Sequence, residues 1–171
     1  KMEPVRGNID SRLRKLESGE FDAILLAAAG LSRMGWEDRV TAYLPPEVCL
    51  PAVGQGALGI ECRADDDELR KLLALYNDEQ TALTVAAERT FLGALNGGCQ
   101  VPIGAFAVLD AEAAEPDSPK LITLTGMVGT PDGSVVLKET SSGHDPVRLG
   151  EEVARKLIAR GAEQILADAR G

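Results

Sequence analysis

The stretch Leu95-Asn96-Gly97-Gly98-Cys99-Gln100-Val101-Pro102-Ile103-Gly104 separates a helical pattern from an extended one in this chain of 171 residues. Upstream of it, apolar residues recur at every fourth position, at Leu83, Ala87, Phe91 and Leu95. This spacing predicts one buried face of a helix that runs from Asp78 to Leu95. Gly97 or Gly98 then ends the helix, because glycine readily adopts the left-handed conformation that closes a last turn.

Cys99 lies on the loop after this helix, where the two preceding glycines leave open space beside the backbone. The C-terminal end of a helix carries partial negative charge and disfavours a thiolate, so the position does not suit repeated nucleophilic turnover. A thiol that reacts once with a strong electrophile and stays bonded needs no such activation. Two interpretations follow from the residues alone: an inert packed thiol, or a point of permanent covalent attachment.

The residues after Cys99 predict a small α+β domain with a three-stranded antiparallel sheet and covering helices. The strands are expected at Ile103 to Leu109, Leu121 to Val128 and Ser134 to Glu139. The second and third are joined by Thr130-Pro131-Asp132-Gly133, whose residue types favour a hairpin turn. A terminal helix begins after Asp145, which caps it, with Pro146 at the first helical position. Its predicted buried side consists of Val147, Leu149, Val153, Leu157 and Ile158.

The residues before Asp78 contain pieces of parallel α/β architecture without a closed domain. Strands are expected up to Val5, at Phe21 to Ala28 and at Ala57 to Arg63, after a Pro- and Gly-rich crossing segment at Leu44 to Gly56. Their short apolar runs are typical of strands that are covered on both faces. Asn8 caps one predicted helix, and Asp65 or Asp66 caps another. The apolar sides of these two helices are Ile9, Leu13 and Leu16, and Leu69, Leu72, Leu73 and Tyr76.

The charge of the chain excludes some partners. The formal net charge is -9, which disfavours nucleic acid and anionic membranes because both select for basic surfaces. Residues 1 to 40 carry seven basic and seven acidic side chains, so arginines in this neutral part can bind an anionic small molecule. No apolar run approaches a membrane span and no signal-peptide pattern is present, so we expect a soluble cytoplasmic protein.

Cysteine and histidine usage predicts no metal site and no disulfide framework. Cys49, Cys62 and Cys99 are odd in number, widely spaced and without CxxC spacing. Cys62 lies in a predicted strand and is expected to be a buried structural thiol. His144, the single histidine, is expected at the surface or at a helix cap, because no partner in the sequence would make it a catalytic base.

Four segments in order resemble the porphobilinogen deaminase family, also called hydroxymethylbilane synthases. They are RGNIDSRL at Arg6 to Leu13, FDAILLAAAGLSR at Phe21 to Arg33, LPAVGQGALGIECR at Leu50 to Arg63, and LNGGCQVPIG at Leu95 to Gly104. Four ordered matches are far more specific than one short motif. The resemblance implies two doubly wound, periplasmic-binding-protein-like lobes around a cleft, followed by a third, smaller α+β domain. It therefore predicts the end of the second lobe at residues 1–50, a crossing segment and returning piece of the first lobe at 51–77, and the third domain at 78–171.

The resemblance also implies a function. The family are transferases of tetrapyrrole and haem biosynthesis, which join four porphobilinogens with loss of ammonia and release hydroxymethylbilane. In the family, the pyrrole product grows on a dipyrromethane cofactor that a cysteine holds through a thioether. Cys99 matches that cysteine. The aspartate for proton transfer belongs to the family's N-terminal half, which this sequence lacks, so we expect no catalytic residue here and an inactive isolated chain. The intact enzyme is expected to be monomeric.

The same resemblance assigns binding residues. Arg6, Arg12 and Arg33 match positions that bind carboxylates of cofactor and substrate, where planar guanidinium groups donate paired hydrogen bonds. They follow predicted strands, at the edge where open α/β sheets bind ligands. Backbone amides around Ala27 and Gly30 are expected to bind the cofactor, and Gln55 the substrate.

An alternative class is a non-enzymatic small-molecule-binding or regulatory protein of periplasmic-binding-protein-like fold, because fold does not determine function. A covalent pyrrole adduct on Cys99 separates the two, since receptors carry none.

Overall fold

The structure is a computed structural model that describes residues 1–96, 102–110 and 119–170. It forms two compact units, Lys1–Leu44 and Pro45–Gly171. Cys99, with Gly97 and Gly98, lies outside the described residues.

The first unit contains two helices, α1 (Ile9–Glu17) and α2 (Ala28–Arg33), and a 3-10 turn at Glu37–Arg39. The predicted cap of α1 is confirmed, because the Asn8 side chain accepts a hydrogen bond from Ser11 N at 2.8 Å. Only Leu13 and Leu31 are buried apolar residues in this unit. Its hydrophobic core is therefore very small.

The strands predicted in the first part of the chain are wrong for this structure. Residues 1–96 are all described, and none of them forms a β-strand. Leu25 in the expected strand at 21–28 is 58% exposed, and Leu58 and Ile60 in the expected strand at 57–63 are 74% and 62% exposed. A strand needs a neighbour to satisfy its backbone, and no described segment of the chain offers one to these residues.

The second unit contains the predicted α+β domain. Its elements are α3 (Asp67–Ala74), α4 (Glu79–Ala94), β1 (Ile103–Leu109), β2 (Ile122–Gly129), β3 (Val136–Gly143), α5 (Pro146–Ala159) and α6 (Ala162–Arg170). The strands form one antiparallel sheet in the order β1-β2-β3, which confirms the three-stranded sheet. The cap predicted at Asp145 is confirmed, and of the two candidates Asp65 and Asp66 it is Asp66 that caps α3. Asp78, the predicted first residue of its helix, is the N-cap of α4.

The core of this unit lies between the sheet and helices α4 and α5. It contains Ala87, Phe91, Leu95, Ala105, Ala107, Ile122, Leu124, Val128, Leu149, Val153, Ala154, Leu157, Ala162 and Leu166. Helices α4 and α5 pack closely at Gly150, where an added Cβ would lie 2.6 Å from the backbone oxygen of Ala87. Val147 is 49% exposed, contrary to the prediction, because it lies in the first turn of α5, before the buried positions begin at Leu149.

The hairpin between β2 and β3 is also confirmed. The Asp132 carboxylate accepts hydrogen bonds from the Thr130 hydroxyl at 2.6 Å and from Ser134 N at 3.1 Å. Strand β3 begins at Val136 rather than Ser134, and it continues beyond the predicted end at Glu139 to Gly143. The extension pairs hydroxyl side chains on the outer face, Thr140 with Thr125 and Ser142 with Thr123. Such cross-strand pairs favour a longer ladder than hydrophobic alternation alone suggests.

Helix α3 has the predicted apolar side, but that side is exposed. Leu69, Leu72 and Tyr76 are 39%, 59% and 80% exposed. Leu58 and Ile60, in the segment before α3, are exposed as well, and we call these five exposed apolar side chains the 58–76 surface.

Candidate functional site

Helix α4 ends at Ala94, five residues before Cys99 in the sequence. The left-handed residue after its last turn is Asn96, at φ 48°, one position before the predicted glycines. Asparagine is the residue other than glycine that most often closes a helix in this way. Phe91 and Leu95 are buried in the domain core. The last turn of α4 is thus anchored in the core of the second unit.

Arg12 lies on α1 and is half-buried. Its Nε donates a hydrogen bond to the backbone oxygen of Gly7 at 2.7 Å, so the guanidinium lies beside the loop that precedes the helix. Arg6 is the residue before Gly7 and is exposed. The fold of this loop therefore brings the Arg12 side chain close to the backbone next to Arg6.

Arg33 is exposed at the last position of α2, the helix that begins after Ala27. Gly30 N donates to the backbone oxygen of Ala27 at 3.0 Å, within the first turn. A Cβ on Gly30 would lie 2.7 Å from Cδ1 of Ile9, so glycine at this position allows close packing of α2 on α1. The structure therefore gives the Gly30 amide an intrahelical partner.

Gln55 lies at the tip of a tight turn and is exposed. Gln55 N donates to the backbone oxygen of Ala52 at 3.0 Å, and Ala57 N donates to that of Gly54 at 3.1 Å. Gly54 has a φ of 68°, a conformation that other residues rarely adopt. Gln55 falls in the predicted crossing segment, and in the structure this part of the segment is a defined turn.

Glu88 on α4 is a candidate that was not predicted from the sequence. It is 6% exposed, and among the described residues it is the single buried polar or charged side chain. Its carboxylate accepts hydrogen bonds from Gly54 N at 2.7 Å and from Ala107 N at 2.9 Å. Burial raises the pKa of the Glu88 carboxyl above its ordinary value, and the two amide hydrogen bonds act in the opposite direction. The sequence feature that could have identified Glu88 is its spacing. It lies three residues before Phe91 and seven before Leu95, which places it on the same face of the helix as these apolar residues.

A cleft of about 250 Å³ lies next to Glu88 in the second unit. Its lining includes Gln55, Gly56, Thr81, Thr84, Glu88 and Phe106. The cleft thus lies between the turn that carries Gln55 and helix α4, which precedes Cys99 in the sequence.

The remaining candidates lie at the surface. His144 is exposed, with Nδ1 3.3 Å from the backbone oxygen of Lys120, which agrees with the expected surface position. Cys49 and Cys62 are both exposed, so the predicted burial of Cys62 is wrong. The strand that would have buried it does not form. Across the described part of the chain, no helix combines the length and the apolar character needed to cross a membrane.

Comparisons with known proteins agree with the segments identified in the sequence. Residues 1–71 match the family model "Porphobilinogen deaminase, dipyromethane cofactor binding domain", and residues 82–159 match "Porphobilinogen deaminase, C-terminal domain". The chain is 60% identical to the porphobilinogen deaminase of Paenibacillus macerans, over 94% of this chain and 53% of that protein. Identity is 57% to the enzyme of Halalkalibacterium halodurans and 52% to that of Bacillus subtilis, each over 95% of this chain and 50% of the relative. The chain thus spans about half the length of the curated relatives it matches, and it belongs to the porphobilinogen deaminase family.

Proposed function

We propose that this chain is the C-terminal portion of a cytoplasmic porphobilinogen deaminase, a transferase of tetrapyrrole and haem biosynthesis. The enzyme would join four porphobilinogens onto a dipyrromethane, with loss of ammonia, and release hydroxymethylbilane. The observation that carries the proposal is the match of both parts of the chain to models of one family, together with identities of 52–60% to its members. No comparison favours a non-enzymatic receptor.

Cys99 is proposed to hold the dipyrromethane through a thioether. The family segment around it and the anchoring of α4 in the domain core support this assignment. The cofactor, when bound, supplies the pyrrole end on which the product grows. The thiol need only hold it, which suits a cysteine at the C-terminal end of a helix.

Arg6, Arg12 and Arg33 are proposed to bind carboxylates of cofactor and substrate, with Gln55 and the amides around Ala27 and Gly30 as further contacts. The Arg12 Nε contact with Gly7 supports this role, because it orients the guanidinium and does not use its paired Nη nitrogens. A planar guanidinium donates two parallel hydrogen bonds to a carboxylate and stays charged at any relevant pH.

The remaining half of the enzyme is proposed as the macromolecular partner of this chain. The 58–76 surface supports this, because large apolar side chains are exposed there. The relatives are about twice as long as the chain, so a partner of matching size exists in the family. The proton-transfer aspartate would come from that half. We propose further that the intact enzyme is monomeric and that its two lobes have a periplasmic-binding-protein-like fold. We propose no nucleic-acid or membrane partner for it.

The deciding experiment is co-expression of the chain with the N-terminal half of the Paenibacillus macerans relative. We expect hydroxymethylbilane formation by the pair, none by the 171-residue chain alone, and an intact mass increased by one dipyrromethane. Peptide mapping should find the adduct on Cys99. An adduct on Cys62, or product formation by the single chain, would contradict the proposal. A receptor would show neither adduct nor product.

A further inference from the structure

Glu88 connects three separate parts of the second unit. Its side chain starts on α4, Oε1 accepts the Ala107 amide of β1, and Oε2 accepts the Gly54 amide of the turn that carries Gln55. Both distances are below 3.0 Å. Hydrogen bonds to a charged acceptor are stronger than those between neutral groups. One carboxylate thus holds a loop and a strand against the helix.

The contact lies at the open edge of the sheet. Strand β1 is the first in the order β1-β2-β3, so alternate amides of β1 face away from β2. Ala105 N donates to the backbone oxygen of Pro51 at 3.1 Å, and Ala107 N, two residues on, donates to Glu88. The segment from Pro51 to Gly54 and the Glu88 carboxylate therefore satisfy neighbouring edge amides together.

Other contacts hold the start of this turn on the domain, since the Pro51 oxygen accepts the Ala105 amide at 3.1 Å. Val53 packs against the core, whereas Ala52, Gln55 and Gly56 are exposed. The exposed tip of the turn needs a directional interaction to hold it in one place. The Gly54 amide and the Glu88 carboxylate provide that interaction.

We infer that Glu88 is a positioning residue, which fastens the turn carrying Gln55 to the helix that leads to Cys99. The inference rests on the proposed function in one respect, the substrate contact of Gln55. The attachment itself is a property of the second unit alone. Without the hydrogen bond between Glu88 and Gly54, the turn would move relative to α4. Gln55 would then no longer be held in a fixed place beside the growing product.

The attachment can be measured on the 171-residue chain by backbone amide exchange and NMR titration. In Glu88→Ala, exchange of the Gly54 and Ala107 amides should accelerate at least about tenfold. Glu88→Gln keeps one acceptor oxygen, so one of these two amides should stay protected from exchange and the other should not. The matched control is Glu79→Gln on the same helix, at an exposed position, which should leave both amides unchanged.

The pH profile separates this role from general packing. Glu88 is the one titratable residue among those that line the cleft, so the Gly54 and Ala107 amide shifts should titrate together in the wild type. They should not titrate in Glu88→Gln. Protection of both amides in Glu88→Ala at the wild-type level would overturn the attachment.

The positioning role is tested in the enzyme reconstituted with the N-terminal half. Glu88→Gln should raise the KM for porphobilinogen about fivefold with a smaller change in kcat, and Glu88→Ala should raise it further. An unchanged KM in a variant whose turn is released would show that Glu88 is structural only. If the wild-type pair makes no product, the proposed function fails and the assignment to Gln55 fails with it. The exchange result still decides the attachment.

Discussion

Arg12 takes part in two interactions at the residue scale, one observed and one proposed. The observed contact, with the Gly7 backbone, lies at an exposed site, where hydrogen bonds contribute at most about 1 kcal/mol to stability. The proposed contact is a paired hydrogen bond to a carboxylate of the cofactor or substrate. Removal of the Arg12 side chain should therefore cost little stability through the first interaction and much more activity through the second.

Replacing Arg12 with leucine should therefore reduce cofactor assembly or elongation far more than stability. Lysine should restore activity only in part, because an ammonium group cannot reproduce the planar pair of donors. Turnover of the reconstituted enzyme and urea unfolding of the chain measure the two effects separately. Full turnover by Arg12→Leu at an unchanged KM would contradict the binding role.

Asp132 in the hairpin allows a pH prediction of defined sign. Hydrogen bonds from the Thr130 hydroxyl and from Ser134 lower its pKa to about 2. The folded state thus favours the carboxylate, and the resulting stability is present above the unfolded pKa of about 3.9. It is lost as the pH falls from there toward 2.

Asp132→Asn should remove this contribution. Above about pH 5 the variant should be less stable than the wild type by a constant amount, and the difference should disappear as the pH approaches 2. Urea unfolding at a series of pH values measures it, and NMR titration of the Asp132 carboxyl gives the pKa directly. A difference that stays constant down to pH 2 would show that ionisation of Asp132 is not involved.

At the scale of elements, the crossing of α4 and α5 depends on the absence of a side chain at Gly150. An added Cβ would lie 2.6 Å from the Ala87 oxygen and 2.8 Å from Phe91 N, both backbone atoms that cannot move independently. Gly93 offers a matched comparison on α4, because nothing lies within 4 Å of a Cβ added there.

Alanine at the two glycines should have opposite effects. Gly150→Ala should destabilise the second unit by about 2 kcal/mol, since overpacking outweighs the gain in helix propensity. Gly93→Ala should stabilise it by about 0.5–1 kcal/mol through reduced backbone entropy of the unfolded chain. Denaturant unfolding monitored by circular dichroism measures both. Equal effects of the two substitutions would show that the close packing seen at Gly150 is absent in solution.

At the scale of the whole molecule, the two units should differ strongly in local stability. The first has two buried apolar residues, Leu13 and Leu31, whereas the second has a core of fourteen. Amides in β1 to β3, α4 and α5 should therefore exchange slowly, and those in residues 1–44 and 57–76 fast.

Addition of the N-terminal half of the Paenibacillus macerans relative should slow exchange in residues 57–76, because the 58–76 surface would become covered. Exchange in β2, already protected by the core, should hardly change and serves as the internal control. Hydrogen exchange followed by mass spectrometry resolves these segments. Slow exchange throughout the isolated chain, or no change in residues 57–76 on addition, would contradict the prediction.

Helices α1, α3, α4 and α5 could be predicted from the sequence because the interactions that begin them are local. Each of these helices begins with a side chain that accepts a hydrogen bond from a backbone amide two or three residues ahead, so a short stretch of sequence contains both partners. The capping residues are Asn8, Asp66, Asp78 and Asp145. The Thr130–Gly133 hairpin and the three strands after Cys99 are close in sequence to their partners as well. Periodicity and turn chemistry were sufficient for this domain.

Tertiary structure decided the features that depend on distant partners. Residues 21–28 and 57–63 have the composition of strands, but a strand's backbone bonds to another segment, and no described segment of this chain pairs with them. The exposure of Cys62 follows from that absence. Glu88 has no distinguishing neighbour in the sequence, because its partners, Gly54 and Ala107, lie 34 and 19 residues away. Burial of a charge is stable only where such partners meet it, and only the folded chain brings them there.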